Sequence, residues 1–344
     1  MPISPRLTRT LERFGPLAAL IALILGTALV EFLRVEPDSR VFLTAANFNN
    51  LLGQASFVGI VAIGMTFVIL LGGIDLSVGA MVALTGGVAI HYMNLAAGAP
   101  GEDQRTALGI VAAVAICLCG GTLLGLFNGI LIAKGRIAAF VATLGTLAMY
   151  RSLVVAPWEG SEIRSAVSAY RQIGSATIPI PGIGIDGDAL PIRVSILVFF
   201  GLAIIAHLVL SRTVFGRRVY AIGDNTQAAR YAGVPIATTT AASYAICGLC
   251  CGVAALLVSS RQNSISSSQT GLFYELDAIA AVVIGGTRLQ GGAGRVWGTV
   301  IGVLILGVVN NMLSMLDVPN YYRDFVKGII IILAVLLQPK KPGT

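Results

Sequence analysis

One carboxylate stands where a carboxylate is costly. Asp75 lies in the stretch Gly72-Gly73-Ile74-Asp75-Leu76-Ser77-Val78-Gly79, between two apolar runs. Isolated in hydrocarbon, such a group costs about 2.5–3.5 kcal/mol even on the lenient insertion scale. It can relay protons, or with Ser77 it can cap free backbone N–H groups where the next helix begins. The order Gly-Gly-Ile-Asp-Leu-Ser favours the cap. A proton-coupled carrier needs titratable groups in its core, yet Glu31, Arg151, Glu275, Asp277, Lys327, His91 and His207 fall near the ends of apolar runs. Inside the runs the polar residues are neutral, and Gln54, Thr66, Asn128, Thr143, Thr146, Asn310 and Asn311 form the candidate substrate pathway. Amides and hydroxyls can bind a polyhydroxylated solute without a counter-charge. They can equally bond helix to helix, and the sequence leaves both roles open.

Other chemistry is poorly supported. No nucleophile–base pair or metal-ligand cluster is visible, which disfavours a membrane enzyme. Cys117, Cys119, Cys247, Cys250 and Cys251 all fall inside apolar runs. Cys247 and Cys250 make a C-x-x-C, but no second pair or nearby His completes a metal site. They read as packing residues, and neither metal nor cofactor is called for. There is no G-x-x-x-x-G-K-[ST] to cradle phosphates. Residues 289–293 read LQGGA, superficially like an ATPase signature, but they are lodged between apolar runs. Work must come from a gradient or from another subunit.

Composition sets the elements that hold these residues. Of 344 residues, 56% are apolar and only 11% charged, against about 25% charged in soluble proteins. At roughly 20 apolar residues per crossing, this is an all-α, polytopic integral membrane protein of eight to ten spans. The spans must be helices, because membrane backbone satisfies its hydrogen bonds internally. Apolar runs cover about 16–33, 53–73, 77–97, 107–133, 138–157, 192–211, 238–260, 276–287, 296–316 and 323–338. The run 276–287 is too short to cross alone. The first run follows Arg6, Arg9 and Arg13 like a signal peptide but lacks an A-x-A site, so it reads as an uncleaved span.

The net charge of +7 is scattered in short connectors, which argues for membrane orientation and against a nucleic-acid partner. Residues 1–15, 134–136, 211–237, 287–295 and the tail from 338 hold 13 Lys and Arg against two acids, Glu12 and Asp224. The other connectors hold Glu36, Asp38, Glu102, Asp103, Glu159, Glu162, Asp186 and Asp188. Both termini are therefore expected in the cytoplasm. The expected organisation is a tail (1–15), one transmembrane domain (16–338) and a second tail (339–344). Loop 212–237 lies on the cytoplasmic side and loop 158–191 opposite it.

Two echoes suggest an internal repeat. Gly72, Gly73, Leu76 and Gly79 in GGIDLSVG match Gly285, Gly286, Leu289 and Gly292 in GGTRLQGG as G-G-x-x-L-x-x-G, with Asp75, Ser77 and Gly291 at variable positions. Gly121-Thr122-x-x-Gly125 leading to Asn128 matches Gly298-Thr299-x-x-Gly302 leading to Asn310. Duplicated halves with broken helices mark the pathway in many transporters. Between the halves, Asp224, Asn225 or Thr226 can cap a short helix, Gly233 suits its C′ position and Pro235 stops it. Such a helix is marginal alone, and Arg230 and Tyr231 would suit docking onto a cytoplasmic partner.

The stretches 65–87 (MTFVILLGGIDLSVGAMVALTGG), 128–146, 274–316 (from YELDAIAAVVIGGTRLQGG) and 321–335 resemble the permease subunits of ribose-type ABC sugar importers. The resemblance runs from about Asn47 to the end and weakens across 157–193. Arg288 and Gln290 depart from it, where a Ser and a small residue are commoner. It implies a multispan subunit of the bacterial inner membrane, paired with a second permease chain, most simply a second copy. The pair would sit on cytoplasmic ABC ATPase subunits and take a monosaccharide, ribose or a similar pentose, from a periplasmic sugar-binding protein. Segment 224–235, with Asp224, Asn225, Arg230, Tyr231 and Gly233, resembles the loop that contacts the ATPase. The alternatives are a related importer for branched-chain amino acids or inositol-like solutes, and a gradient-driven sugar symporter.

Overall fold

The computed structural model describes residues 5–97, 103–180 and 190–336. Glu102, Asp186, Asp188, residues 1–4 of the first tail and the tail 339–344 lie outside them. The helices are α1 (Pro5–Arg34), α2 (Ala45–Leu70), α3 (Val78–Ala97), α4 (Asp103–Ala133), α5 (Ala139–Val155), α6 (Arg171–Ser175), α7 (Val194–Arg212), α8 (Val214–Asp224), α9 (Thr226–Tyr231), α10 (Ile236–Gln262), α11 (Tyr274–Ile284), α12 (Val296–Met315) and α13 (Asn320–Leu336). Every apolar run has become a helix. Among the described residues, eight helices are long and apolar enough to cross a membrane: α1 to α5, α7, α10 and α12. At 1.5 Å per residue, the 11-residue α11 rises only about 16 Å, roughly half a hydrocarbon core. The fold is an all-α polytopic membrane bundle.

Helices α2, α3 and α10 form its interior. From Gly59 to Leu70 every residue of α2 is buried, as befits a helix that is apolar all round. Helices α1, α4, α5 and α7 are covered on one side and expose Leu25, Leu108, Phe140 and Ile205 on the other. Small residues let the interior backbones touch. Along α4, Gly121 and Gly125 face Gly248 and Gly252 of α10, and a Cβ on Gly125 would collide with the Tyr244 carbonyl. A second seam joins α11 to α12, where a Cβ on Gly302 would collide with the Ala281 carbonyl and one on Gly298 with that of Gly285. In lipid, van der Waals contact of this kind holds helices together.

Two breaks interrupt the bundle. Residues 71–77 turn between α2 and α3. The longer break leads into α11: after β4 (Ser264–Ser266), the chain runs unwound to Phe273. Arg151 on α5 satisfies part of that backbone, its guanidinium donating to the carbonyls of Thr270 (2.9 Å) and Ser267 (3.2 Å). Irregular backbone survives at membrane depth only with such protein partners.

The bundle has two different ends. At one, β1 (Glu162–Arg164) pairs antiparallel with β4, Ile163 opposite Ile265, and β2 (Thr177–Ile180) pairs with β3 (Leu190–Arg193). The Glu162 carboxyl there is held below the usual carboxylate range by the Ser264 hydroxyl, helped by Arg164. The other end carries α8 and α9. The connector was expected to hold one short helix, and the structure adds α8. Thr213 caps it, accepting the Gly216 N–H at 3.1 Å, and Gly216, Val219, Ile222 and Gly223 form its buried face.

Candidate transport site

The pathway candidates separate into two places. Asn128 is fully buried, and its Nδ2 donates to Ser77 Oγ (2.8 Å) and Asp75 Oδ2 (3.4 Å). Asp75 is fully buried as well, its Oδ1 accepting from the Ser77 N–H (2.9 Å) and Ser77 Oγ (2.7 Å). The Tyr150 hydroxyl lies 3.3 Å from Asn128 Oδ1, while those of Tyr244 (3.3 Å) and Thr143 (3.4 Å) reach the Ile74 carbonyl. Thr146 is buried beside them, its hydroxyl 3.3 Å from the Thr143 carbonyl. Helices α4, α5 and α10 thus converge on the 71–77 turn and satisfy its polar groups, as low-dielectric burial demands. Thr66 is also closed off, its hydroxyl 2.8 Å from that of Thr299, which ties α2 to α12.

Gln54, Asn310 and Asn311 instead line a cavity of about 820 Å³ among α2, α11, α12, α13 and the end of α10. Asn311 is engaged there, exchanging two amide hydrogen bonds with Asn47 at 2.9 and 3.1 Å. Residues that the sequence reading passed over share the wall. Asn50 and Phe273 contribute to it, as do Asp277 and Lys327, which form an ion pair at 3.2 Å between α11 and α13. The two charges looked like run ends because α11 is short and because α13 begins at Asn320, before the apolar run that marks it. The i, i+3 pair of Asp324 and Lys327 was the legible signal of a charged face. The cavity combines amide hydrogen bonding with charged groups, the Asp277–Lys327 pair together with Asp324, Arg323 and Arg261, held against a half-helix.

Residues 47–335 match the family described as branched-chain amino acid transport system / permease component. The chain belongs to that permease family. It is 38% identical over 320 residues to the ribose import permease protein of Haemophilus influenzae, covering 92% of this chain and 90% of that one. It is 39% identical over 336 residues to the protein of the same name in Bacillus subtilis (96% and 94% covered). The xylose transport system permease protein of Escherichia coli is 33% identical over 378 residues (95% and 92%). No solved structure matches the chain.

In this permease the two glycine elements meet. The Gly292 N–H donates to the Leu70 carbonyl at 3.0 Å, and Gly291 packs on Gly72. Gly223 of α8 closes the junction, leaving no room for a Cβ against Leu70. Gly73 lies beneath the Tyr244 hydroxyl, Gly79 backs onto Gly271, Gly285 onto Gly298, and Gly286 completes the turn after α11. Arg288 and Gln290 fit because Gln290 presents only its carbonyl to Gly72 and leaves its side chain exposed. Beyond α8, Asn225 caps α9 by accepting the Ala228 N–H at 3.0 Å, and Gly233 follows at φ +75°. Asp224, Arg230 and Tyr231 are exposed, Tyr231 by 90%.

Proposed function

We propose that this chain is the membrane permease of an ATP-driven importer for a monosaccharide, ribose or a similar pentose. The identity to ribose import permeases over nine-tenths of both chains supports this most directly. The neutral amides of the cavity suit an uncharged, hydroxylated solute. The permease lies in a bacterial inner membrane with both termini in the cytoplasm, as the connector charges favour. It works as a pair of identical chains on cytoplasmic ABC ATPase subunits and receives sugar from a periplasmic binding protein. Helix α9 docks on the ATPase through Asp224, Asn225, Arg230, Tyr231 and Gly233, and α8 carries the movement to Leu70 and Gly292. The cavity lies towards the periplasmic side, where Gln54 and Asn310 bond the sugar in passage.

Cells dependent on this permease should lose ribose uptake when ATP is depleted and keep it when an uncoupler collapses the proton gradient. The opposite pattern would select a symporter. Alkaline phosphatase fused after Asp103 should be active, and an inactive fusion would reverse the orientation. The family's description favours a second reading, an amino-acid permease. Uptake of leucine in place of ribose by the same cells would select it.

A further inference from the structure

Phe273 has three features that packing does not account for. It precedes α11 at φ +64° and ψ 9°, a left-handed backbone that disfavours any residue with a Cβ and suits glycine. The same segment uses glycine where it must: Gly271, at φ +74°, backs directly onto Gly79. At 273 the chain keeps a phenylalanine against its backbone's preference, and such outliers cluster at ligand sites. The ring does not serve the core either, for it is 43% exposed and forms part of the cavity wall. That wall also carries the amides of Asn50, Gln54 and Asn310.

We infer that the Phe273 ring is a stacking platform for the C–H face of a sugar ring, while the cavity's amides take the hydroxyls at the sugar's edge. This inference rests on the reading of the chain as a sugar permease. The face of an aromatic ring is electron-rich, and the C–H bonds of a cyclic sugar are polarised positive at hydrogen. A cyclic sugar has such an apolar face and a hydroxylated rim, which the exposed Phe273 ring and the surrounding amides and charged hydrogen-bonding groups can each engage. A branched amino acid offers neither a flat C–H face nor a rim of hydroxyls. Because Phe273 immediately precedes the half-helix, in a segment whose Thr270 carbonyl is held by Arg151, any movement of α11 carries the platform with it.

The test uses the complete importer, the permease with its ATPase and binding protein, in proteoliposomes supplied with ribose or xylose. Transport is measured at saturating loaded binding protein, and melting temperature is measured on the same preparations. Phe273→Trp and Phe273→Tyr should keep wild-type transport. Phe273→Leu, apolar but without a π face, should slow it about tenfold, near the upper end of an aromatic pair's worth. Phe273→Gly should slow transport as much while melting at or above the wild-type temperature, because it relieves the backbone; a residue with a purely structural role would not give that split. Wild-type transport by Phe273→Leu or Phe273→Gly would overturn the platform and leave the sugar reading standing. Accumulation of leucine but neither sugar by the wild-type importer would overturn both.

Discussion

The seam between α4 and α10 and the seam between α11 and α12 begin alike and end differently. Both start from Gly-Thr-x-x-Gly, and in both the glycines bring one backbone against another with no room for a Cβ. Downstream, Asn128 is sealed into a network with Asp75, Ser77 and Tyr150, whereas Asn310 lies on the cavity wall. The difference follows from the partner helix. Helix α10 has 27 residues and packs along α4, while α11 has only 11 and runs beside part of the 20-residue α12, ending near the cavity that Asn310 lines. A similar sequence element therefore locks one region and opens another, according to how far its neighbour extends.

Substitutions can break this contrast or sharpen it. The largest effect is expected from Gly125→Val, whose added carbons meet the Tyr244 backbone and cannot be relieved by a side-chain shift. It should cost about 3 kcal/mol, read as a lower melting temperature of the purified permease. Gly302→Val should do the same, and an unchanged melt for either would break the likeness of the seams. Next comes Asn128→Leu, which strips Asp75 of a donor and should cost about 2 kcal/mol. Asn310→Leu should alter stability by less than about 0.5 kcal/mol while lowering sugar uptake; the reverse ranking would erase the distinction between sealed and open. Gly233→Ala, at a positive φ with open space around it, should cost about 1 kcal/mol. The smallest change in stability, within about 0.5 kcal/mol, belongs to Arg230→Ala, which should still weaken ATP-driven uptake; unchanged uptake would count against docking by α9.

Local features were legible in the chain, and distant pairings were not. Every apolar run became a helix because composition alone decides what a bilayer permits. Asn225 and Gly233 bound α9 within a few residues, where capping rules act. Helix α8 escaped notice because Arg217 and Arg218 make it look like a basic connector, although Thr213 and the spacing of Val219, Ile222 and Gly223 marked a buried face. The bond between Asn128 and Asp75 spans 53 positions and leaves no periodic trace. Amides that bind solute and amides that bind helices share one composition, so only the packing sorts Asn128 from Asn310. The backbone of Phe273 was invisible for another reason, since a strained residue contradicts the propensities from which sequence is read.

On the proposed reading, the permease supplies a path and no driving force. Liposomes containing the purified chain alone, then the chain with its ATPase and sugar-loaded binding protein, can be compared for internal labelled ribose with ATP inside. The complete set should concentrate ribose above the external level, and the lone chain should not. Uphill accumulation by the lone chain would contradict the account.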